Sequence, residues 1–231
     1  MKESFRLKET FAWITADERK YIEIAKEELK KHRQELERFV RWHPYFLVTL
    51  ESYRVEEKDK MPEIVRKMTE SAGKFDIGPM SAVAGTLAEF AVEAMRDAGA
   101  THAIVDNGGD IALICDRTVL VGIYAGESVL SNRIALRIKP STSLLGICTS
   151  SGTVGHSINF GNADAATVIS NSASLSDAAA TALGNSVSNA HSVTKAFHSI
   201  KHVAGIKGAF VIYKDMFARW GEIPEIVRIK F

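Results

Sequence analysis

The sequence predicts an α+β fold in which antiparallel strands pair and helices lie between the strand pairs. Short stretches of alternating apolar and polar residues, separated by turn residues, are typical of hairpin strands. Longer stretches carry apolar residues at helical spacing. At 231 residues, with 46% hydrophobic residues, the chain is long enough to bury a proper core, in one large domain or two small ones.

The first third of the chain is predicted to contain a hairpin, two helices and a short strand. Alternation defines the first element, and Pro44 ends the long helix that follows. His32 falls on the apolar stripe of that helix, where a packed or partnered histidine is more common than a metal ligand. The predicted elements are a strand or hairpin at 5–14, a helix at 17–42, a short strand at 45–50, a charged loop at 54–60 and a helix at 62–72.

Small residues mark the next predicted helix, at 80–98. Glycine inside a helix costs about 1 kcal/mol relative to alanine, so Gly85 indicates close approach by a neighbouring helix or by a ligand. Gly108 and Gly109 then form a turn between two strands, which predicts a hairpin, although successive N–H groups can also bind phosphate. The predicted strands of this middle part are 102–106, 111–115, 119–124, 133–138, 147–149 and 166–170.

Residues 146–185 are rich in Ser, Thr and Gly and contain neither Lys nor Arg, which predicts a site lined by backbone groups. Ser174 or Ser176 is expected to cap a helix on which Asp177 and Thr181 share one face. A carboxylate and a hydroxyl one turn apart suit a hard cation such as Mg²⁺. Alternatively, Asp177 favours the helix N-terminus and Thr181 bonds back to the backbone.

The last part of the chain holds two weaker motifs. His198 and His202 are four residues apart on a helix predicted at 194–203, but no third metal ligand is evident. Ser192 and Lys195 match the short S-x-x-K pattern of serine acyl enzymes, so a serine hydrolase acting through Ser192 or Ser150 is a further hypothesis. Closing strands are predicted at 209–213, 218–220 and 226–229.

Composition narrows the class of protein. The formal net charge of +1 gives no basic excess for nucleic acid, and no apolar run is long enough for a membrane span. The N-terminus has no signal-peptide core. Cys115 and Cys148 form neither a metal motif nor a disulfide framework, so we expect a cytoplasmic protein.

Several motifs together resemble the ApbE superfamily. They are DNGGDI at 106–111, TSSG at 149–152, and TVI at 167–169 leading to SDAAATAL at 176–183. The segments IGPM at 77–80 and CTSSGTVGHS at 148–157 are similar to an uncharacterised ApbE-like family of prokaryotes. The resemblance covers roughly residues 5–190.

The resemblance implies one T-fold-like α+β domain over residues 1–231, with antiparallel sheets, helices packed on one face and two pseudo-repeated halves. Superfamily members are flavin transferases that use FAD and Mg²⁺ to attach FMN to a protein threonine. By this likeness Asp177 and Thr181 would bind the metal together with a carbonyl near residues 82–84. Gly108, Gly109 and Asp110 would lie at the flavin site.

This sequence also departs from the transferases. Their lysine position corresponds to Gly85, and their His/Asp-Pro loop is reduced to residues 156–161. We expect an enzyme that binds a flavin nucleotide with Mg²⁺ and cleaves or transfers across the diphosphate, in which Asp177 acts with the metal. His156 is the candidate proton-transfer group, although a structural role for its ring is an equal alternative. Ser150, Ser151 and Gly152 are expected to line the phosphate path.

The alternative function is a non-catalytic protein that binds a flavin, a pterin or a related ligand. The departures from the transferases favour it, and metal dependence of turnover distinguishes the two hypotheses. The expected partners are the small-molecule nucleotide, a protein acceptor of unknown identity and a second copy of the chain in a homodimer.

Overall fold

The computed structural model describes residues 1–54, 61–153 and 159–229. The strands are β1 Lys2–Leu7, β2 Thr10–Ala16, β3 Ala103–Asn107, β4 Asp110–Cys115, β5 Val119–Gly122, β6 Ile134–Ile138, β7 Ser141–Ser150, β8 Ala165–Ser170, β9 Ile206–Tyr213, β10 Met216–Gly221 and β11 Glu225–Arg228. The helices are α1 Arg19–Trp42, α2 Pro44–Val48, α3 Glu63–Gly73, α4 Val83–Asp97 and α5 Ala173–Asn185. Among the described residues, no helix is both long enough and apolar enough to cross a membrane.

Two antiparallel sheets organise the molecule. Eight strands form the large sheet in the order β1-β2-β3-β4-β7-β8-β9-β10, and three form the small sheet in the order β11-β6-β5. One face of the large sheet, with residues such as Val105, Ala112 and Val168, packs against the helices. The opposite face packs against the small sheet through residues such as Ile147 and Phe210. The α+β prediction, with antiparallel sheets and helices on one face, is therefore confirmed.

Glycines at two contact points let α5 lie close to the large sheet and to α4. A Cβ added to Gly146 of β7 would lie 2.5 Å from the Ala173 Cα of α5. One added to Gly85 of α4 would collide with the Ala173 carbonyl and lie 2.7 Å from the Asp177 Cβ. A neighbouring helix, the first of the two predicted alternatives, is therefore the reason for glycine at position 85.

Most predicted elements are confirmed, and three predictions are wrong. Residues 45–50 form most of α2 and no strand, because Pro44 starts a helix and Phe46 anchors it in the core. The stretch 194–203 contains a 3-10 turn at Ala196–Ser199 and no α-helix. The N-cap of α5 is Ser172, whose Oγ accepts the Leu175 N–H at 3.2 Å, and neither Ser174 nor Ser176. The predicted charged loop at 54–60 lies mostly outside the described residues.

His32 is packed and partnered, as expected. Its ring stacks on Phe90 of α4 with centroids 4.0 Å apart. Its two ring nitrogens lie 3.1 Å from Glu35 Oε2 and 3.2 Å from Glu28 Oε2. Burial lowers the pKa of His32, although both carboxylates oppose that shift.

Candidate functional site

Asp177 lies where α4 begins. Its Oδ2 accepts the Gly85 N–H at 2.8 Å, and its carboxylate also accepts the Ala84 N–H. These are among the first N–H groups of α4, which have no partner within the helix. Ala82, the N-cap residue of α4, makes no side-chain cap. Asp177 of α5 therefore caps the neighbouring helix.

Glu89 makes the reciprocal contact from α4 to α5. Its Oε2 accepts the Ser174 N–H and the Ser172 Oγ–H, both at 2.8 Å. Its Oε1 lies 2.9 Å from Lys67 Nζ on α3. Each helix N-terminus is thus capped by a carboxylate from the other helix, and this fixes the position of Asp177 relative to α4.

Asp110 brings a second carboxylate close to that of Asp177. It begins β4, pairs with Cys148 of β7 and is 9% exposed. Its buried Oδ1 has no hydrogen-bond partner among the described residues. Burial raises the pKa of Asp110 well above its usual value, and the nearby carboxylate of Asp177 raises it further.

Burial also raises the pKa of Asp177 to about 7, against the N–H groups of Gly85 and Ala84, which lower it. Neither Asp110 nor Asp177 forms an ion pair with any described residue. Two neighbouring buried carboxylates without a counter-ion are stable when they share a proton or bind a cation.

Two further oxygen-bearing residues, Thr181 of α5 and Ala84 of α4, belong to the elements that hold Asp177. Thr181 follows Asp177 by one helical turn and is 9% exposed, and its hydroxyl makes no hydrogen bond within the described part of the chain. Asn107, at the end of β3, donates from Nδ2 to the Ala84 carbonyl at 3.1 Å. In the described ranges no group of three or more His, Cys, Asp or Glu side chains is placed to hold a metal. Carboxylate and hydroxyl oxygens are ligands that a hard cation prefers, so Asp110, Asp177 and Thr181 suit such a cation better than a softer transition metal.

The Gly108–Gly109 turn closes the β3–β4 hairpin beside Asp110. Both glycines have positive φ, 71° and 101°, which a two-residue hairpin turn requires. A Cβ added to either would meet nothing within 4 Å, so the space around the turn is open. The Gly109 N–H donates to Asp106 Oδ1 at 2.9 Å within the hairpin.

Ser150, Ser151 and Gly152 lie at the end of β7 and are held by the loop that follows. Ser150 Oγ accepts from Asn159 Nδ2 at 2.7 Å, and Ser151 Oγ lies 3.3 Å from Thr153 Oγ1. A Cβ on Gly152 would collide with the carbonyl of Gly161, so an internal backbone contact accounts for this glycine. Their role in a phosphate path stays a prediction.

Of the remaining candidates, those in the described part of the chain do not join the acid pair. His156 lies outside the described residues. Ser192 Oγ donates to the Asn189 carbonyl at 2.7 Å and accepts the Ser188 and Asn189 N–H groups, which is a local cap. His198 and His202 are exposed, and each has a ring nitrogen near a backbone carbonyl.

Sequence reasoning missed Glu89 and Asn107. Glu89 sits on a helix face that is otherwise apolar, and a buried acid at such a position signals a specific partner. Asn107 directly precedes the Gly108–Gly109 turn, and its side-chain bond to the Ala84 carbonyl depends on the packing of β3 against α4.

Comparison with known proteins places the chain among relatives over nearly its whole length. A family model described as "AbpE bacteria" matches residues 3–202. A "UPF0280 protein" of Methanosarcina acetivorans is 53% identical over 229 residues, which cover 99% of this chain and 89% of the relative. A UPF0280 protein of Methanococcus vannielii is 38% identical over 230 residues, covering 98% of this chain and 92% of the relative.

A solved structure shares the fold. The apo form of the flavinyl transferase ApbE from Pseudomonas stutzeri superposes with a TM-score of 0.58 and 13% sequence identity, covering 95% of this chain and 94% of that one. At this identity the likeness concerns the fold alone.

Proposed function

The chain belongs to the AbpE bacteria family, and on that basis we propose that it binds a flavin nucleotide, with FAD as the leading candidate, together with Mg²⁺. The proposed reaction is cleavage of the diphosphate or transfer across it. The single observation that supports this most strongly is the buried acid pair, in which Asp110 Oδ1 has no partner among the described residues. A cation bound there would offset two buried charges and give that oxygen a ligand.

Asp177, Thr181, Asp110 and the Ala84 carbonyl would hold the metal. When bound, Mg²⁺ would neutralise charge on a diphosphate and make it a better electrophile and leaving group. The residues of this chain hold the site in place: two N–H groups fix the Asp177 carboxylate, and Asn107 fixes the Ala84 carbonyl. The open turn at Gly108 and Gly109 leaves room for phosphate oxygens.

The proposal extends to residues that the structure leaves untested. His156 remains the candidate for proton transfer, and Ser150, Ser151 and Gly152 for the phosphate path. Any transfer to a protein acceptor would take place in the cytoplasm. The chain itself is proposed to fold as one domain.

One observation favours the non-catalytic alternative, in which the protein holds a flavin or pterin-type ligand without reacting it. The lysine position of the flavin transferases corresponds to Gly85, and the Ala173 carbonyl of α5 occupies the space that a side chain there would need. The cationic side chain is therefore excluded by the helix packing, and the reaction would have to proceed without it.

The test is FAD binding by isothermal titration calorimetry and thermal shift, with Mg²⁺ or with EDTA. Ligand at 100 times its dissociation constant stabilises the fold by about 2.7 kcal/mol, which is readily measured. We expect Mg²⁺-dependent binding of FAD that Asp177→Asn abolishes. Asp97 is an exposed aspartate at the end of α4, and Asp97→Asn is expected to preserve the binding.

Chromatography of the reaction mixture then separates the two functions. Mg²⁺-dependent release of FMN or AMP supports the enzyme, and FAD binding without release supports the binding protein. No FAD binding in either condition would contradict the flavin enzyme and the flavin-binding protein alike.

A further inference from the structure

Phe160 is an exposed aromatic residue on a backbone that is held in place. The residue is 68% exposed, and among the described residues neither hydrophobic core includes it. Its N–H donates to Asn185 Oδ1 at 2.8 Å, and the following N–H, that of Gly161, donates to Asn159 Oδ1 at 2.8 Å. Residues 159–161, which we call the Phe160 loop, therefore present an apolar ring to solvent at a defined place.

The Phe160 loop lies against the face of α5 that carries the candidate metal ligands. Asp177, Thr181 and Gly184 are spaced i, i+4 and i+7, so they share one face of this helix. A Cβ added to Gly184 would collide with Asn159 Nδ2, and one added to Gly161 would collide with the Gly184 carbonyl. At 1.5 Å per residue, the loop is therefore about 10 Å from Asp177 along the helix.

The Phe160 loop also contacts the end of β7, beside the other carboxylate of the acid pair. Cys148 of β7 pairs with Asp110, and Ser150 lies two residues further along the strand on the same face. Ser150 Oγ accepts from Asn159 Nδ2 at 2.7 Å. The helix that carries one carboxylate and the strand beside the other thus lead to the same loop.

We propose that Phe160 stacks on the isoalloxazine ring of the flavin nucleotide, with the diphosphate about 10 Å away along α5 at the acid pair. This inference rests on the proposed function. A phenyl ring offers an apolar face and no hydrogen-bonding group, so it favours a flat aromatic ring. In a flavin nucleotide the open ribityl chain separates the ring from the first phosphate, and it bridges a longer gap than the ribose of an adenine nucleotide does. The distance therefore favours the isoalloxazine ring over adenine.

The first experiment measures FAD affinity by isothermal titration calorimetry with Mg²⁺ present. Phe160→Ala is expected to weaken binding roughly 5- to 150-fold, the range for loss of a ring stacked on an aromatic side chain. Phe160→Tyr keeps the aromatic face and is expected to retain the wild-type affinity. Trp42→Ala is the matched control, because it removes another exposed aromatic residue, at the end of α1, and it is expected to leave FAD affinity unchanged. Mg²⁺ alone should bind all three variants as tightly as it binds wild type, because each retains the acid pair.

The second experiment identifies the stacked ring by fluorescence. An indole stacked on isoalloxazine quenches flavin emission, so FAD bound to Phe160→Trp is expected to emit less than FAD bound to wild type. Equal emission from the two complexes would overturn the proposal, since adenine or no ring would then lie at that position.

The outcomes separate this proposal from the proposed function. Unchanged FAD affinity in Phe160→Ala, together with its loss in Asp177→Asn, would overturn the stacking and leave the proposed function intact. Absence of FAD binding by the wild-type chain would overturn both. Loss of Mg²⁺ affinity in Phe160→Ala would show that the residue supports the fold of the site, and would also overturn the stacking.

Discussion

At Asp177, burial and hydrogen bonding act on the same carboxylate in opposite directions. Burial raises the pKa of Asp177, whereas the N–H groups of Gly85 and Ala84 lower it, and burial prevails. Burial and the neighbouring Asp177 carboxylate raise the pKa of Asp110 well above its usual value, although contacts with the Cys148 thiol and the Thr149 N–H lower it. Such neighbouring acids titrate together, so a proton or a cation shared by the pair is the natural state of this site.

Asp177→Asn is expected to stabilise the metal-free protein at high pH. The pKa of about 7 in the folded state exceeds the unfolded value, so the folded state holds its proton more tightly. Protonated Asp177 therefore contributes a few kcal/mol to the unfolding free energy of the wild-type chain below about pH 4. This contribution is lost as the pH rises through 7. Asparagine can still accept an N–H bond but carries no charge.

Urea denaturation in EDTA at pH 5 and pH 8 checks this prediction. The variant should gain stability over wild type at pH 8 and much less at pH 5, and Asp97→Asn should show no such trend. An equal difference at both pH values would contradict the raised pKa. Saturating Mg²⁺ should restore the wild-type stability but not change that of Asp177→Asn.

Asp110→Asn is expected to weaken Mg²⁺ binding by roughly 10–100-fold, because one of the two carboxylates of the proposed metal site is lost. Asp106→Asn is the matched control on the same hairpin, where the amide oxygen can still accept the Gly109 N–H. Calorimetric titration with Mg²⁺ measures both. Equal loss in the two variants would show that the hairpin, and not the Asp110 charge, determines affinity.

The pair α4 and α5 is the element on which the candidate site depends. Two carboxylates, Asp177 and Glu89, each cap the N-terminus of the other helix. Glycine at position 85 permits the close approach that these contacts need. The packing of α4 against α5 therefore sets the position of the Asp177 carboxylate at the candidate site, and a change in that packing would move it.

Gly85→Ala and Gly73→Ala should have opposite effects, although both replace a helical glycine. At Gly85 the added methyl collides with the Ala173 backbone, and overpacking of this kind costs roughly 1–3 kcal/mol. At Gly73, in the last turn of α3, a Cβ meets nothing within 4 Å, so alanine should stabilise by about 0.5–1 kcal/mol.

Thermal and urea unfolding of the two alanine variants measures the contrast. A neutral or stabilising Gly85→Ala would mean that α4 and α5 are further apart than described. Mg²⁺ affinity in Gly85→Ala should fall with stability, whereas in Gly73→Ala it should not change.

Over the whole molecule, the large sheet has a core on each face. The small sheet covers the face opposite the helices, and Leu136 of β6 is buried between the two sheets. Leu136→Ala is expected to cost roughly 2–5 kcal/mol in unfolding free energy, because it leaves a cavity. Leu120→Ala, at an exposed position of the neighbouring β5, should cost about 0.5 kcal/mol or less.

Chemical denaturation followed by circular dichroism compares these leucine variants. Because the candidate site lies on the helix side of the sheet, FAD binding by folded Leu136→Ala should match wild type. A similar small cost at both positions would indicate that the small sheet contributes little to stability.

Local patterns in the sequence determined most of the secondary structure. Alternation at residues 5–14 defined the β1–β2 hairpin, the double glycine defined the β3–β4 turn, and Pro44 fixed the end of α1. The errors arose where local patterns are ambiguous. Residues 45–50 are apolar enough for a strand, and only the anchoring of Phe46 selects a helix.

The sequence by itself determined the fold class, the family and the helical placement of Asp177 and Thr181, because these depend on local spacing and on short motifs that can each be recognised separately. The tertiary structure alone decided that Asp110 lies beside Asp177, that Glu89 and Asp177 cap each other's helices, and that α5 excludes a side chain at Gly85. Contacts between positions about 70–90 residues apart depend on how the sheet and helices pack, and no local pattern encodes them.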